Sequence, residues 1–353
     1  MPTAPGRIDN RKIKFALVGC GRISPSHIAS IAHHSDHAEL VDVCDILPDV
    51  AEAAARKTGA RAHTDFHAML QKTDADVVVL ATPSGLHAAQ GIAAAAAGKH
   101  VLTEKPMATR LEDGVELIKA CDAAGVRLFV VKQNRRNPPL QLLKRAIDQG
   151  RFGRIALVTA NVFWRREQSY YDSAAWRGTW EFDGGAFMNQ SIHYIDQLSW
   201  LVGPIESVHA YTATIGRKIE VEDTGVLSVK WRNGALGSLN VTMLTYPSDR
   251  EGSVTVMGDK GMVRVAGVAL NQIETWEFAE PHEDDAKVEA ASYTPNSVYG
   301  GGHALYYDNV IKTLRGEAEA ETDGREGLKS LETLIAAYRS SRDGKRVGLP
   351  LRL

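Results

Sequence analysis

The stretch DGGAFMNQSIHYIDQLSWLVG, residues 183–203, sets a histidine in an otherwise apolar pattern. Phe187, Met188, Ile192, Ile195 and Leu198 recur at helical spacing after a glycine pair, which places Asn189, His193 and Asp196 on one stripe at i, i+4 and i+7. Such a stripe has to be satisfied, either by hydrogen bonds within a core or by a ligand. Read alone, His193 suits a structural role as well as a proton-transferring one; imidazole is the side chain best matched to proton transfer near neutral pH. A second candidate is Lys105 in TEKP, which ends an apolar run and precedes Pro106, so its ammonium is held near the strand end. A cation there can stabilise a developing alkoxide.

A third feature is GCGRIS, of the form G-x-G-x-x-S. Gly19 permits a tight turn, Gly21 lets the backbone approach a pyrophosphate, and the following helix N-terminus offers oriented N–H groups. Ser24 replaces the usual third glycine, which predicts a looser contact between helix and strand. Alone the motif is weak, but it follows the first strand, and Asp45 ends the second at the expected distance. A carboxylate there accepts hydrogen bonds from ribose hydroxyls and repels a 2′-phosphate, which favours NAD over NADP; the other reading of Asp45 is a helix cap.

These residues need elements to carry them. KIKFALVG, AELVDVCD, ADVVVLATP, KHVLTEKP and VRLFVVKQN are apolar runs separated by helical stretches, the pattern of a parallel sheet covered on both faces. The pattern then changes to alternating runs with hairpin turns such as RNGA and GDKG, hence a mostly antiparallel sheet, followed by the helical segments HALYYDNVIKTL and GREGLKSLETLIAAYRSSR. The expectation is an α/β chain with a dinucleotide-binding domain over 1–135 and a substrate and oligomerisation domain over 136–353. The strand ends of the first domain would direct ATPSGLHA, TEKP and KQNRR toward a ligand crevice, together with WRGTWEFDGGAFMNQSIHYID from the second.

A chain of 353 residues can bury a core in each of two domains, and a net charge of -2 provides no field for nucleic acid or anionic lipid. The polar segment MPTAPGRIDNRK carries no secretion signal and no apolar run suffices to span a bilayer, so the expected location is the cytoplasm, with no membrane partner. Cys20, Cys44 and Cys121 show no metal-ligand spacing, and the histidine pairs lack further ligands at suggestive spacing, so no metal is expected. EPHEDDAKVEAA reads as a solvated loop.

Together, GCGRIS, ATPSGLH, EKPMA and GGAFMNQSIHYID resemble the glucose–fructose oxidoreductase, inositol dehydrogenase and MocA family over nearly the whole chain. The resemblance implies NAD- or NADP-dependent chemistry on sugar hydroxyls and an open C-terminal sheet that joins subunits, as a homodimer or homotetramer. It makes Lys105 the lysine of the E-K-P motif and His193 the histidine of a D-x-x-x-H pattern, whose carboxylate is here Asn189. An amide can orient a hydroxyl but cannot relay a proton.

A narrower similarity, YYDSAAWRGTWEFDGGAFMNQSIHYIDQLSWLVGP, is to UDP-N-acetylglucosaminuronate 3-dehydrogenases of bacterial surface-polysaccharide pathways, some of which recycle NADH with 2-oxoglutarate. The implied catalytic set is Lys105, His193 and Asn189. Cofactor contacts are expected from Gly19, Gly21, Arg22, Ile23, Asp45, Thr82, Pro83, Leu86, His87, Glu104, Lys105, Gln133, Trp176 and Arg177. Substrate contacts are expected from Lys105, Arg165, Tyr171, Asn189, Gln190 and His193. Arg135, Arg166 and Arg177 are further candidates for a carboxylate or diphosphate, and Tyr170, Trp176 and Trp180 for a sugar or uridine face. The rival readings are a dehydrogenase of an unactivated sugar or inositol and a non-catalytic sensor of NAD and sugar.

Overall fold

Apolar runs with no polar alternation have to be covered on both faces, and the first sheet shows this directly. The computed structural model describes residues 7–294 and 301–352. Strands β1 (Ile13–Val18), β2 (Ala38–Cys44), β3 (Arg61–His63), β4 (Val77–Leu80), β5 (His100–Thr103) and β6 (Leu128–Val130) form a parallel sheet in the order β3-β2-β1-β4-β5-β6. Every residue of β4, β5 and β6 is buried. The order reverses beside β1, so the β1 turn and the ends of β4 and β5 lie at the switch point where doubly wound sheets bind ligands. Edge strand β3 was not foreseen; its three residues are too few to give a pattern.

The first unit comprises residues 1–132 and 303–328, and the second 133–302 and 329–353. This corrects the single boundary expected after residue 135. Helix Gly302–Leu314 sends Tyr306, Tyr307, Val310, Ile311 and Leu314 into the core that holds Phe15, Leu17 and Phe129. The following segment covers the sheet edge: the Val130 N–H donates to Thr322 O at 2.9 Å, and Phe129 bridges Asp323. Gly327 is required there, because a Cβ would sit 2.5 Å from Val130 Cγ2. The linear pattern marks a helix at these positions but not the core that receives its apolar face.

In the second unit β7 (Ile155–Phe163), β8 (Ile205–Ala213), β9 (Thr224–Trp231), β10 (Leu236–Thr242), β11 (Glu251–Gly258), β12 (Gly261–Ala266), β13 (Gln272–Phe278) and β14 (Val347–Gly348) run in the order β13-β12-β11-β7-β10-β9-β8-β14. Neighbours are antiparallel except β7 with β10. One face is apolar and buried through Val158, Ala160, Val162, Leu227, Val229 and Trp231. Helix Ile192–Val202 is tied to it where Trp231 Nε1 donates to Leu198 O at 3.2 Å. The opposite face exposes Leu157, Tyr211, Val226 and Leu236.

The acidic segment is not a solvated loop. Residues Glu283–Lys287 and Val288–Ala291 are helical, and Asp284 is buried with Lys287 Nζ at 2.6 Å. Among the described residues no helix is long and apolar enough to cross a membrane.

Because Tyr307 is fully buried and its hydroxyl meets His27 Nδ1 at 2.9 Å, Tyr307→Ala is expected to lower the unfolding free energy of the first unit by about 3–5 kcal/mol. Urea titration checks this, with Arg56→Ala, on an exposed ion pair, as a control expected to cost about 0.5 kcal/mol or less.

Candidate functional site

The β1 turn is shaped by its backbone. Gly19 has φ +89°, and a Cβ there would stand 2.6 Å from Ala81 O, so only glycine is accommodated. At Gly21 a Cβ would meet nothing within 4 Å, which leaves open space above the turn. Ser24 is buried, and its hydroxyl donates to Gly21 O at 2.7 Å, within the turn. Asp45 braces the same turn, Oδ2 accepting from the Cys20 N–H at 2.9 Å and Oδ1 from the Leu47 N–H at 3.0 Å. Arg22 is exposed and Ile23 half-buried. An open glycine cradle, a helix N-terminus and a fixed carboxylate form a donor and acceptor set that fits a dinucleotide.

Beyond β4, Thr82, Pro83 and Leu86 are half-buried, and Thr82 Oγ1 donates to Gln90 Oε1 at 2.6 Å. His87 follows, at the start of the helix His87–Ala96. It is buried, with Nδ1 2.8 Å from Pro106 O and Nε2 2.8 Å from Thr82 O, and burial lowers its pKa against those two carbonyls. A neutral ring donates its one N–H to one of these two carbonyls.

Glu104 is likewise buried. Its Oε1 lies 3.1 Å from His27 Nε2 and 3.7 Å from His303 Nε2, and its Oε2 accepts from the Lys105 N–H at 3.1 Å. Burial opposes its ionisation, but the imidazoles of His27 and His303 beside it hold the carboxyl well below the ordinary range. A charged carboxylate thus anchors the backbone of half-buried Lys105. The role of His303 has no signal in the linear sequence, where it lies about 200 residues from EKP.

In the second unit, the stripe at i, i+4 and i+7 is not formed on one helix. Residues Ala186–Gln190 make a π turn, closed by Ser191 N–H to Ala186 O at 2.9 Å, and the α-helix begins at Ile192. Asn189 and Gln190 therefore belong to the turn, and His193 to the first turn of the helix. Asn189 Nδ2 donates to Asp183 Oδ1, a partner that sequence reasoning missed. Asp183 is buried and also accepts from the Gly178 N–H at 2.7 Å. An amide held by a carboxylate has a defined direction. His193 Nε2 lies 3.4 Å from Gln133 Nε2, with Gln133 buried.

Asp196 does not continue a ligand-facing stripe. It takes a bidentate ion pair from Arg135 at 2.7 and 2.8 Å, both groups buried, which removes Arg135 from the candidates for an anionic ligand. Tyr171 is also corrected: it is buried, whereas Tyr170 is half-exposed and its hydroxyl accepts from Arg177 Nη1 at 2.9 Å and Gln190 Nε2 at 3.2 Å. Arg177 lies 4.5 Å from the Tyr170 ring centre and 4.4 Å from that of Trp176. Arg166 reaches Gln190 Oε1 at 3.1 Å between Trp164 and Tyr170, while Arg165 pairs with Glu167. Cations stacked on aromatic faces beside an amide-bearing turn suit an anionic, ring-containing ligand.

Comparison with known proteins agrees with this geometry. Residues 13–132 match the model of an oxidoreductase family's NAD-binding Rossmann fold, and residues 144–349 that family's C-terminal alpha/beta domain. The solved WlbA dehydrogenase of Bordetella pertussis, in complex with NADH and UDP-GlcNAcA, is 64% identical, with 98% of this chain and 100% of that one covered at a TM-score of 0.95. The WlbA dehydrogenase of Chromobacterium violaceum, also in complex with NADH and UDP-GlcNAcA, is 64% identical over all of both chains, again at 0.95. The D-apiose dehydrogenase of Paraburkholderia graminis is 26% identical, over 96% of this chain and 90% of its own.

One further buried group has a consequence for stability. Burial pushes the Glu222 carboxyl up to about 7, against hydrogen bonds from the Phe187 N–H and Tyr338 OH that favour its ionised form. The folded protein then binds a proton at Glu222 more tightly than the unfolded chain does, so stability is lost as pH rises from the unfolded value near 4.5 through about 7. Glu222→Gln cannot ionise. Its stability relative to the parent is expected to improve by roughly 3 kcal/mol across that window. Denaturant titrations at several pH values test this, and a difference independent of pH would refute it.

Proposed function

Because the chain belongs to the glucose–fructose oxidoreductase, inositol dehydrogenase and MocA family of NAD-binding oxidoreductases, we propose that it oxidises the C3 hydroxyl of UDP-N-acetylglucosaminuronate to a ketone. The observation that carries this reading is 64% identity, over essentially the whole chain, to two dehydrogenases solved with NADH and UDP-GlcNAcA. The relative at 26% identity, named for apiose, supports only the broader class of sugar dehydrogenases. The half-buried Arg166 and Arg177, held against Tyr170 and Gln190, suit a substrate with a diphosphate and a carboxylate.

The residues assigned to hold NAD are Gly19, Gly21, Arg22, Ile23, Asp45, Thr82, Pro83, Leu86, Trp176 and Arg177. When bound, NAD supplies the acceptor for the hydrogen leaving C3 with its electron pair. His193 takes the hydroxyl proton, and Lys105 stabilises the negative charge that develops on that oxygen. Asn189, directed by Asp183, orients the hydroxyl without exchanging a proton. Glu104 holds the Lys105 backbone, a positioning task in place of the cofactor contact expected of it. We assign regeneration of NAD to 2-oxoglutarate, and the open sheet face bearing Leu157, Tyr211, Val226 and Leu236 to contact with a second copy of the chain.

The first test follows the ultraviolet absorbance of reduced nicotinamide when the protein with NAD meets UDP-N-acetylglucosaminuronate, the corresponding non-acidic UDP-sugar, or inositol. Reduction with the uronate alone is expected, reversed on adding 2-oxoglutarate; reduction by inositol but not the uronate would remove the nucleotide-sugar assignment. His193→Asn and Lys105→Met are expected to lower turnover by about 100-fold or more while NAD still binds, and near-normal turnover in either would overturn its role. Asp45→Asn keeps an acceptor for the Cys20 N–H but loses the charge, so the preference for NAD over NADP should narrow by about tenfold, read from the two kcat/KM values.

A further inference from the structure

The Ala186–Gln190 turn carries Asn189 and precedes the helix of His193. Its first three N–H groups point into the protein, and each meets an acceptor from a segment distant in the chain. Ala186 N–H donates to the Glu222 main-chain oxygen at 2.9 Å, Phe187 N–H to Glu222 Oε1 at 2.8 Å, and Met188 N–H to the Tyr338 hydroxyl at 3.2 Å. Tyr338 in turn donates to Glu222 Oε1 at 2.9 Å, so the two side chains form one clamp. Space is made for the carboxyl by Gly185, where a Cβ would stand 1.9 Å from Glu222 Oε2. A carboxylate across the N–H groups that open a helical segment satisfies the donors and the local dipole together.

We propose that Glu222 and Tyr338 are positioning residues that clamp the Ala186–Gln190 turn and thereby set the aim of Asn189 and His193. The inference rests on the catalytic assignment of His193 above. Neither clamp residue needs to touch substrate. Their effect is exerted through the backbone of residues 186–188, immediately before Asn189 and five residues before His193 at the nearer end. The clamp is strongest with Glu222 ionised, since hydrogen bonds to a charged acceptor are about twice as strong as neutral ones. The titratable groups acting on it are Tyr338, whose hydrogen bond favours the carboxylate, and Asp223, whose charge opposes it; Asp223 is itself held by the N–H groups of Ile215, Gly216 and Arg217.

The test compares Glu222→Ala, Glu222→Gln, Tyr338→Phe and His193→Asn in the full chain with NAD and UDP-N-acetylglucosaminuronate, reading kcat and KM against pH, with NADH binding measured separately by fluorescence. Glu222→Ala should lower kcat by about 10- to 100-fold, the cost of a misplaced reacting group, with NADH affinity unchanged. Glu222→Gln, which keeps an acceptor oxygen, should recover part of that loss and make the acid limb of the kcat profile shallower, because one ionisation is gone. Tyr338→Phe removes a hydrogen bond to the carboxylate, so Glu222 should titrate higher and the acid limb should move up by about 0.5–1 pH unit. A residue that merely packs would shift none of these limbs. If His193→Asn is inactive while Glu222→Gln and Tyr338→Phe keep the parental kcat and acid limb, the clamp is overturned alone. If His193→Asn keeps its turnover, the catalytic reading fails and the clamp's purpose with it. Should Glu222→Ala fail to fold, Glu222→Gln and Tyr338→Phe still decide.

Discussion

A backbone N–H taken out of water has to find an acceptor, and both functional regions of this protein are organised around that requirement. In the first unit the Cys20 N–H, within the glycine turn, is met by Asp45, and the Lys105 N–H by Glu104. In the second unit the N–H groups of Phe187 and Met188 are met by Glu222 and Tyr338. Each acceptor comes from a carboxylate or phenol whose own surroundings limit its movement. These turns are therefore held in place without being packed full of side chains.

The buried carboxylates achieve this at different electrostatic cost. Glu104 lies beside two imidazoles that hold its carboxyl well below the ordinary range despite its burial. Asp196 is compensated by the guanidinium of Arg135. Glu222 has no cation beside it in its hydrogen-bond set, only a phenol and backbone donors, and burial raises it to about 7. Breaking a compensated buried pair leaves an uncompensated charge, so Glu104 and Asp196 depend strongly on their partners. Glu222 can instead accept a proton near neutral pH, where burial has raised it.

Stacking holds two guanidinium groups in the second unit. Arg166 and Arg177 are kept extended by the faces of Trp164, Tyr170 and Trp176, and by hydrogen bonds through Gln190 and the Tyr170 hydroxyl. A guanidinium held in this way loses less conformational freedom on binding an anion than a free side chain does. The same wall explains why Gln190, next to Asn189 in the π turn, is tied to the cations: the turn and the arginines share one hydrogen-bond network.

The sequence by itself determined the class of fold, the glycine turn with Asp45, and the candidacy of Lys105 and His193, because strand periodicity, turn residues and short motifs are local properties. It also supplied Asn189 in place of a carboxylate, but not the fact that Asp183 orients it. Tertiary structure alone decided which polar residues are spent on internal partners: Arg135 on Asp196, and His87 on Pro106. It decided that residues 303–328 complete the first unit's core, and that Asn189 lies in a π turn outside the helix of His193. The physical reason is common to these cases. A side chain's partner is set by distance in space, and Glu222, Tyr338 and His303 lie 35 to about 200 residues from the groups they hold.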